Sequence, residues 1–129
     1  MARKLVLLVL WGLWSVACLS DATIHAEWKD PLTNKAWIYL SPGMNWNAAG
    51  QACTDEGYRL PSMEELQVAQ RRLVRSPVGQ QLLLAHELVW SSTEGDAVVP
   101  QSWAVYLRSG NASWVMQVNP LPVACVTDT

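Results

Sequence analysis

The sequence predicts an α+β fold in which two helices pack on antiparallel sheets. Three observations support this class. Residues 35–40 are rich in aromatic and branched side chains, which is typical of a strand. Two segments with helix-capping residues follow between Asn45 and Leu73. From Leu88 to Val126 the chain changes to short strand-like segments separated by turn residues.

The N-terminus has the three-part pattern of a secretory signal peptide. Arg3 and Lys4 form a basic start, an apolar run occupies residues 5–14, and small residues come after it. The apolar stretch is short for a membrane span, so an uncleaved anchor is the less favoured alternative.

Two cleavage sites compete in this region. Cleavage after Ala26 makes residues 1–26 the signal peptide and residues 27–129 the mature domain. The alternative is a bacterial lipoprotein site at residues 15–18, with Cys18 acylated and anchored in a membrane, although Ser15 stands where that pattern has Leu. In both cases we expect an exported protein of the periplasm, the outer surface or the medium.

Residues 27–129 carry seven basic and ten acidic side chains, a net charge of −3. Their number, 103, suits one domain. Because this domain is mildly acidic and has no basic stripe, we expect no nucleic-acid partner.

Two cysteines remain after Cys18 is set aside, Cys53 and Cys125. An exported protein meets an oxidising compartment, so the two are expected to form a disulfide. The alternative is a pair of free buried thiols.

Two strands are expected before the helices. Residues 27–29 form a short first strand, and residues 35–40 form the second. The sequence Ser-Pro-Gly at residues 41–43 is expected to end the second strand.

The first helix is expected to begin after Asn45, a favoured N-cap residue. Four residues recur at helical spacing and share one face: Trp46, Ala49, Gly50 and Cys53. That face directs Cys53 toward the core, and Gly57 suits the left-handed position that ends a helix.

The second helix carries a capping box, in which Ser62 is followed three residues later by Glu65. Its apolar stripe continues through Leu66, Ala69 or Gln70, and Leu73. Three arginines fall in the last turn, as is typical of a solvated helix end: Arg71, Arg72 and Arg75. Pro77 is expected to stop the helix, and residues 78–84 form either a short helix or a packed loop.

The last third of the chain is expected to supply four strands, at residues 88–93, 102–107, 113–118 and 123–126. Turn residues 108–112 make the second and third of these a hairpin. Two prolines make residues 119–122 an irregular link, because proline cannot donate to a ladder.

These segments together resemble the bacterial C-type lectin-like domain. The resemblance rests on Trp46, Ala49 and Cys53 in the first helix, on Gly57-Tyr58-Arg59-Leu60-Pro61-Ser62 with Glu65-Leu66, and on the segments at residues 89–93, 103–107 and 123–126. The chain is most similar in type to the tip domains of invasin and intimin and to the C-terminal domain of a Legionella collagen-like adhesin.

The resemblance implies a bond between the first-helix cysteine and the last strand, and a role in binding a protein or glycan. Sugar-binding animal lectins of this fold ligate calcium through a Glu-Pro-Asn or Gln-Pro-Asp loop and a Trp-Asn-Asp strand. Here Glu94-Gly95-Asp96 and Trp114-Val115-Met116 stand instead, so we expect neither a metal site nor calcium dependence.

No catalytic constellation is evident in the sequence. His86 is the only histidine after residue 26, and no cysteine or serine motif accompanies it as a nucleophile. Glycine-rich phosphate loops are absent from the sequence as well. We therefore expect a protein that is not an enzyme and has no cofactor.

The contact surface is expected on the loop at residues 94–101 and on the hairpin tip at residues 108–113, since loops on rigid scaffolds carry recognition. The candidate ligand-binding residues are Glu94, Asp96, Gln101, Arg108, Asn111 and Trp114. Trp103 is a further aromatic candidate, although the favoured alternative is that Trp103 and Trp114 simply pack between sheet and helices.

Two functions fit these observations. The first is a calcium-independent recognition domain that binds a protein or glycan at the cell surface. The second is a small periplasmic or surface subunit of a pilus or secretion apparatus.

Overall fold

The structure is a computed structural model that describes residues 22–95, 98 and 100–128. The signal-peptide pattern up to residue 21, with Cys18, and the candidate Asp96 lie outside the described residues. Within the described residues, three helices and two three-stranded antiparallel sheets confirm the α+β class. No helix in the described part of the chain is long and apolar enough to cross a membrane.

The six strands form two sheets. The first sheet has the order β1-β2-β6 and comprises β1 (Thr23–Lys29), β2 (Ala36–Met44) and β6 (Leu121–Val126). The second has the order β3-β4-β5 and comprises β3 (Leu88–Glu94), β4 (Gln101–Tyr106) and β5 (Ala112–Met116). The helices are α1 (Trp46–Asp55), α2 (Met63–Leu73) and α3 (Pro77–Ala85).

The first strand is longer than the sequence predicted. It pairs with β2 from Thr23, opposite Ser41, to Lys29, opposite Ala36. The expected cleavage point after Ala26 therefore falls within a paired strand.

The expected end of the second strand at residues 41–43 is wrong. β2 continues to Met44, which pairs with Leu121 of β6, and the ladder is irregular between Leu40 and Met44. Pro42 and Pro122 both lie in this irregular stretch, where a missing backbone N–H leaves no ladder bond unmade. For the same reason β6 begins before the proline, at Leu121.

The first helix follows its sequence signals. The Asn45 side chain accepts a hydrogen bond from the Ala48 N–H at 2.9 Å, which caps the helix. Gly57 has a φ of 80° and ends the helix in the left-handed conformation, as expected. Ala49 and Cys53 are buried.

The second helix also matches its signals, because Ser62 and Glu65 form the full capping box. The stripe continues through Ala69, whereas the Gln70 carboxamide donates to the backbone oxygen of Leu107.

Pro77 lies after the end of α2 and begins a further helix. It is the first residue of α3, where its missing N–H costs nothing, and the Ser76 hydroxyl accepts from the Gly79 N–H at 3.0 Å to cap that helix. Residues 78–84 are therefore helical, which decides between the two predicted alternatives in favour of the short helix.

The core lies on both faces of the first sheet. On β2, Trp37 and Tyr39 join the cluster under α2 and α3, whereas Ile38 and Leu40 join the cluster under α1. β6 is buried at every position. The central strand β2 and the neighbouring buried strand β6 make this sheet the scaffold on which the helices and the second sheet rest.

The expected disulfide is confirmed. Cys53 of α1 and Cys125 of β6 are bonded, with their Sγ atoms 2.02 Å and their Cα atoms 5.5 Å apart. Both residues are buried in the cluster under α1. The bond joins the helical half of the domain to its last strand.

Candidate functional site

The segment after Trp90 fixes the position of β4. Ser91 is buried, and its hydroxyl donates to the Trp103 backbone oxygen at 2.6 Å, where the ladder between β3 and β4 is irregular. The Trp46 indole N–H donates to the Ser91 backbone oxygen at 2.8 Å, and Thr93 accepts from the Met63 N–H at 3.0 Å. The Ser91 hydroxyl thus ties β3 to β4 at Trp103, and α1 and α2 in turn hold β3.

Two tryptophans form an aromatic pair on the outer part of the second sheet. Trp103 of β4 and Trp114 of β5 are cross-strand partners, and their ring centroids lie 4.1 Å apart at an interplanar angle of 37°. Trp103 is half-buried, and Trp114 is 41% exposed. A large ring left exposed in a braced sheet is an unusual use of tryptophan, which normally buries most of its area.

Gly95 lies directly against this pair. A Cβ placed on Gly95 would come within 1.4 Å of Trp114 Cζ3, far closer than two atoms can approach. The Gly95 N–H donates to the Gln101 backbone oxygen at 2.9 Å, which closes the base of the loop. The absence of a side chain at residue 95 therefore allows Trp114 to occupy its place.

Next to the aromatic pair, Gln101 and Met116 form the neighbouring cross-strand pair. We call Gln101, Trp103, Trp114 and Met116 the hairpin patch. Among the described residues, few polar groups of the patch form hydrogen bonds. The Gln101 carboxamide donates only to the Met116 sulfur, at 3.9 Å, and neither patch indole N–H donates to an acceptor. The patch therefore presents apolar rings with free hydrogen-bonding groups at their edges.

The structure divides the candidate ligand-binding residues. Gln101 and Trp114 lie together in the hairpin patch. Glu94 pairs with Ser102, and because side chains alternate along a strand it lies on the face opposite Trp103. Asp96 lies outside the described residues.

Arg108 and Asn111 belong to the turn at the far end of the hairpin. A strand rises about 3.3 Å per residue, so β4 separates this turn from Gln101 by roughly 17 Å. The turn is held on α2, since Gln67 donates to the Gly110 oxygen and Gln70 to the Leu107 and Arg108 oxygens. The turn therefore lies at the opposite end of the hairpin from Gln101, and hydrogen bonds from α2 hold it in place.

The strongest charge interactions lie elsewhere in the fold. Hydrogen bonds from Arg59, supported by Lys35 and the Ser62 N–H, hold the pKa of Glu65 well below its ordinary range although burial opposes this. Hydrogen bonds from Arg72 likewise lower the pKa of the buried Asp30 to about 2. Both carboxylates are fully engaged in joining elements and leave no free oxygen for a ligand.

A cleft of about 250 Å³ lies between α2 and the turn that follows β1, lined in part by Lys35, Trp37 and Glu65. The Trp37 indole N–H is buried without an acceptor among the described residues. Because this nitrogen has essentially no accessible surface, a group that enters the cleft does not reach it.

Other polar residues give no reactive arrangement in the described ranges. His86 is exposed and accepts from the Leu88 N–H at 3.0 Å through Nδ1. Across residues 22–95, 98 and 100–128 no three His, Cys, Asp or Glu residues form a group that could hold a metal ion.

Comparison with solved structures bears on the fold. No protein-family model matches the chain, and no curated protein sequence matches it. Among solved structures the chain is similar to TC14, a C-type lectin from the tunicate Polyandrocarpa misakiensis, with a TM-score of 0.52 and 12% sequence identity. The match covers 72% of this chain and 97% of TC14. The fold is therefore C-type lectin-like.

Proposed function

We propose that this chain is an exported, non-enzymatic recognition domain that binds a protein or glycan at the cell surface without calcium. The contact of the exposed Trp114 ring with the half-buried Trp103 ring is the observation that carries the proposal. Exposed aromatic rings with an N–H at the edge are the side chains that most often anchor a ligand. Within the hairpin patch both rings lie on paired strands of the second sheet, so binding orders little additional structure.

The proposal includes descent within the bacterial C-type lectin-like type, related to invasin, intimin and the Legionella collagen-like adhesin. Two sequence segments support this descent: Arg59-Leu60-Pro61-Ser62 together with Glu65, and residues 89–93. Each segment has a structural role here. TC14 is described as a lectin, which agrees with a binding role. Fold alone does not fix function.

Export is supported by the N-terminal sequence pattern and by the Cys53–Cys125 bond, because disulfides persist in oxidising compartments. Calcium independence is supported by Trp114-Val115-Met116, which offers no carboxylate or amide where sugar-binding lectins of this fold have Asn-Asp.

The test is binding of the labelled, purified domain to cultured animal cells, with and without EDTA. We expect binding that persists in EDTA and falls at least tenfold in Trp114→Ala. Leu84→Ala is the matched control, since Leu84 is 81% exposed on α3 and far from the patch in sequence. Equal binding by Trp114→Ala, or loss of binding in EDTA, would contradict the proposal.

The second candidate function is a subunit of a pilus or secretion apparatus. The cell-binding experiment, combined with co-purification from the producing cell, distinguishes it from the recognition function. A stoichiometric partner that co-purifies from the producing cell envelope, together with no binding to animal cells, would replace the recognition proposal by the assembly role.

A further inference from the structure

The chemistry of the hairpin patch restricts its ligand. The patch combines two indole rings, a thioether and a carboxamide, and it contains no charged side chain. The nearest acidic residue along β3, Glu94, lies on the opposite face of the sheet. Among the described residues, charged ligands therefore find no counter-ion in the patch, whereas a neutral ligand with apolar C–H faces and hydroxyl groups finds both ring surface and hydrogen-bonding partners.

The size of the patch also bears on its occupant. Trp114 and Met116 are 41% and 38% exposed, and the two other members are half-buried. With a tryptophan side chain contributing on the order of 200 Å², the four residues expose at most a few hundred Å². A stable protein interface needs about 800 Å² from each partner. The patch is thus too small for a protein partner by itself and suits a ligand of one or two rings.

Gly95 determines whether the Trp114 ring can occupy its position in the hairpin patch. Any side chain at this position overlaps the six-membered ring of Trp114, with distances of 1.4, 2.3 and 2.5 Å from the added Cβ to Cζ3, Cε3 and Cη2. The flexible end of a side chain could move aside, but the ring is held by its cross-strand contact with Trp103. A larger residue therefore displaces the ring or the loop.

We propose that the hairpin patch binds a neutral saccharide of one or two rings, and that Gly95 is the positioning residue that places Trp114 beneath it. The inference rests on the proposed recognition function and names the ligand class for its site. The saccharide lies with its C–H face on the indoles, and its hydroxyls bond to the free indole N–H groups and the Gln101 carboxamide.

The test uses the disulfide-bonded domain and a panel of neutral oligosaccharides built from glucose, galactose, mannose and N-acetylglucosamine. A sulfated oligosaccharide is the charged comparison. We expect at least one neutral member to bind with little dependence on salt, and its affinity to fall at least tenfold in both Trp114→Ala and Gly95→Ala. Leu84→Ala and Val118→Ala alter exposed apolar residues outside the patch and should bind as the parent does.

Folding is checked separately, by the thermal midpoint and by the absence of free thiols in each variant. If Gly95→Ala does not fold, Trp114→Phe provides the readout, because it keeps a ring on the strand and removes the indole N–H. Neutral binding that is unchanged in every patch variant that folds would overturn the inference.

The two proposals fail in different ways. If the panel does not bind, but binding to animal cells depends on Trp114, the saccharide inference is overturned and the recognition function stands. If neither the panel nor cell binding depends on Trp114, both are overturned. Preference for the sulfated oligosaccharide, abolished by salt, would also contradict the ligand class proposed here.

Discussion

Arg59 and Glu65 form a bidentate ion pair in which Nη1 and Nη2 lie 2.7 and 2.8 Å from the two carboxylate oxygens. The same carboxylate accepts from the Ser62 N–H and from Lys35 Nζ. Arg59 also pairs with Val126 of β6 through its backbone. One carboxylate thus joins the start of α2 to both the chain before β2 and the last strand.

Replacing this carboxylate should destabilise the domain. In Glu65→Gln two cations lose their partner, and we expect the free energy of unfolding to fall by about 1–3 kcal/mol in a urea titration. Glu64→Gln is the matched control, since the neighbouring side chain is exposed. Equal midpoints for the two variants would show that the pair contributes nothing measurable.

Stability should fall in acid because Glu65 and Asp30 both have lowered pKa values. A carboxyl with a lower pKa in the folded state binds fewer protons there than when unfolded, so its contribution is present at neutral pH and declines as the pH falls. The decline should begin near pH 4.5, the ordinary value for Glu, and for Asp30 extend to about pH 2.

The measurement is the urea midpoint between pH 2 and pH 7. Asp30→Asn removes one of the two groups and should flatten the acid limb, while lowering stability at pH 7 because Arg72 loses its partner. An unchanged slope in Asp30→Asn would exclude Asp30 from the acid response.

Removal of the disulfide should be the most costly of these changes. The bond between Cys53 and Cys125 spans 72 residues, for which chain-entropy arguments give roughly 4 kcal/mol. We expect Cys53→Ala with Cys125→Ala to lower the thermal midpoint strongly, and the denatured, unreduced parent to show no reactive thiol at these positions. Reactive thiols in the parent would contradict the bond.

The extent of β1 gives a prediction about the domain boundary. A chain that begins at Ala22 keeps the pairs between Thr23 and Ser41 and between Ile24 and Leu40, whereas a chain that begins at Glu27 loses them. Lost ladder bonds should lower the thermal midpoint of the shorter chain. Equal midpoints would show that residues 22–26 add nothing to the folded domain.

The sequence was most informative where a local signal suffices. Asn45, Ser62 and Gly57 act within a few residues of themselves, and each has the expected role. Local signals were ambiguous for proline, which ends one element and begins another. After Pro77 the sequence left a short helix and a packed loop both open for residues 78–84, and the structure has the helix. The prolines at 42 and 122 concealed the extension of β2 and β6, because only the pairing between those strands shows that no N–H is needed there.

The candidate site required long-range information. Trp114 and Gln101 were identified from composition and position, but their grouping depends on the register of β4 and β5. The register of β3 and β4 places Glu94 on the opposite face. The role of Gly95 has no local signature, since it depends on a ring that lies 19 residues later in the chain. The sequence offered one indication of this role: Gly95 lies in the loop just before the two strands that carry Trp103 and Trp114.

The most direct test of the hairpin patch follows the tryptophan indole N–H signals by NMR while the tightest-binding neutral saccharide of the panel is added. Trp46 and Trp90 donate to backbone oxygens inside the fold, at 2.8 and 2.9 Å, and serve as internal controls. We expect the signals of Trp103 and Trp114 to shift with saturation while those of Trp46 and Trp90 stay in place. Shifts confined to other tryptophans, or none at saturating ligand, would contradict the assignment of the patch as the binding surface.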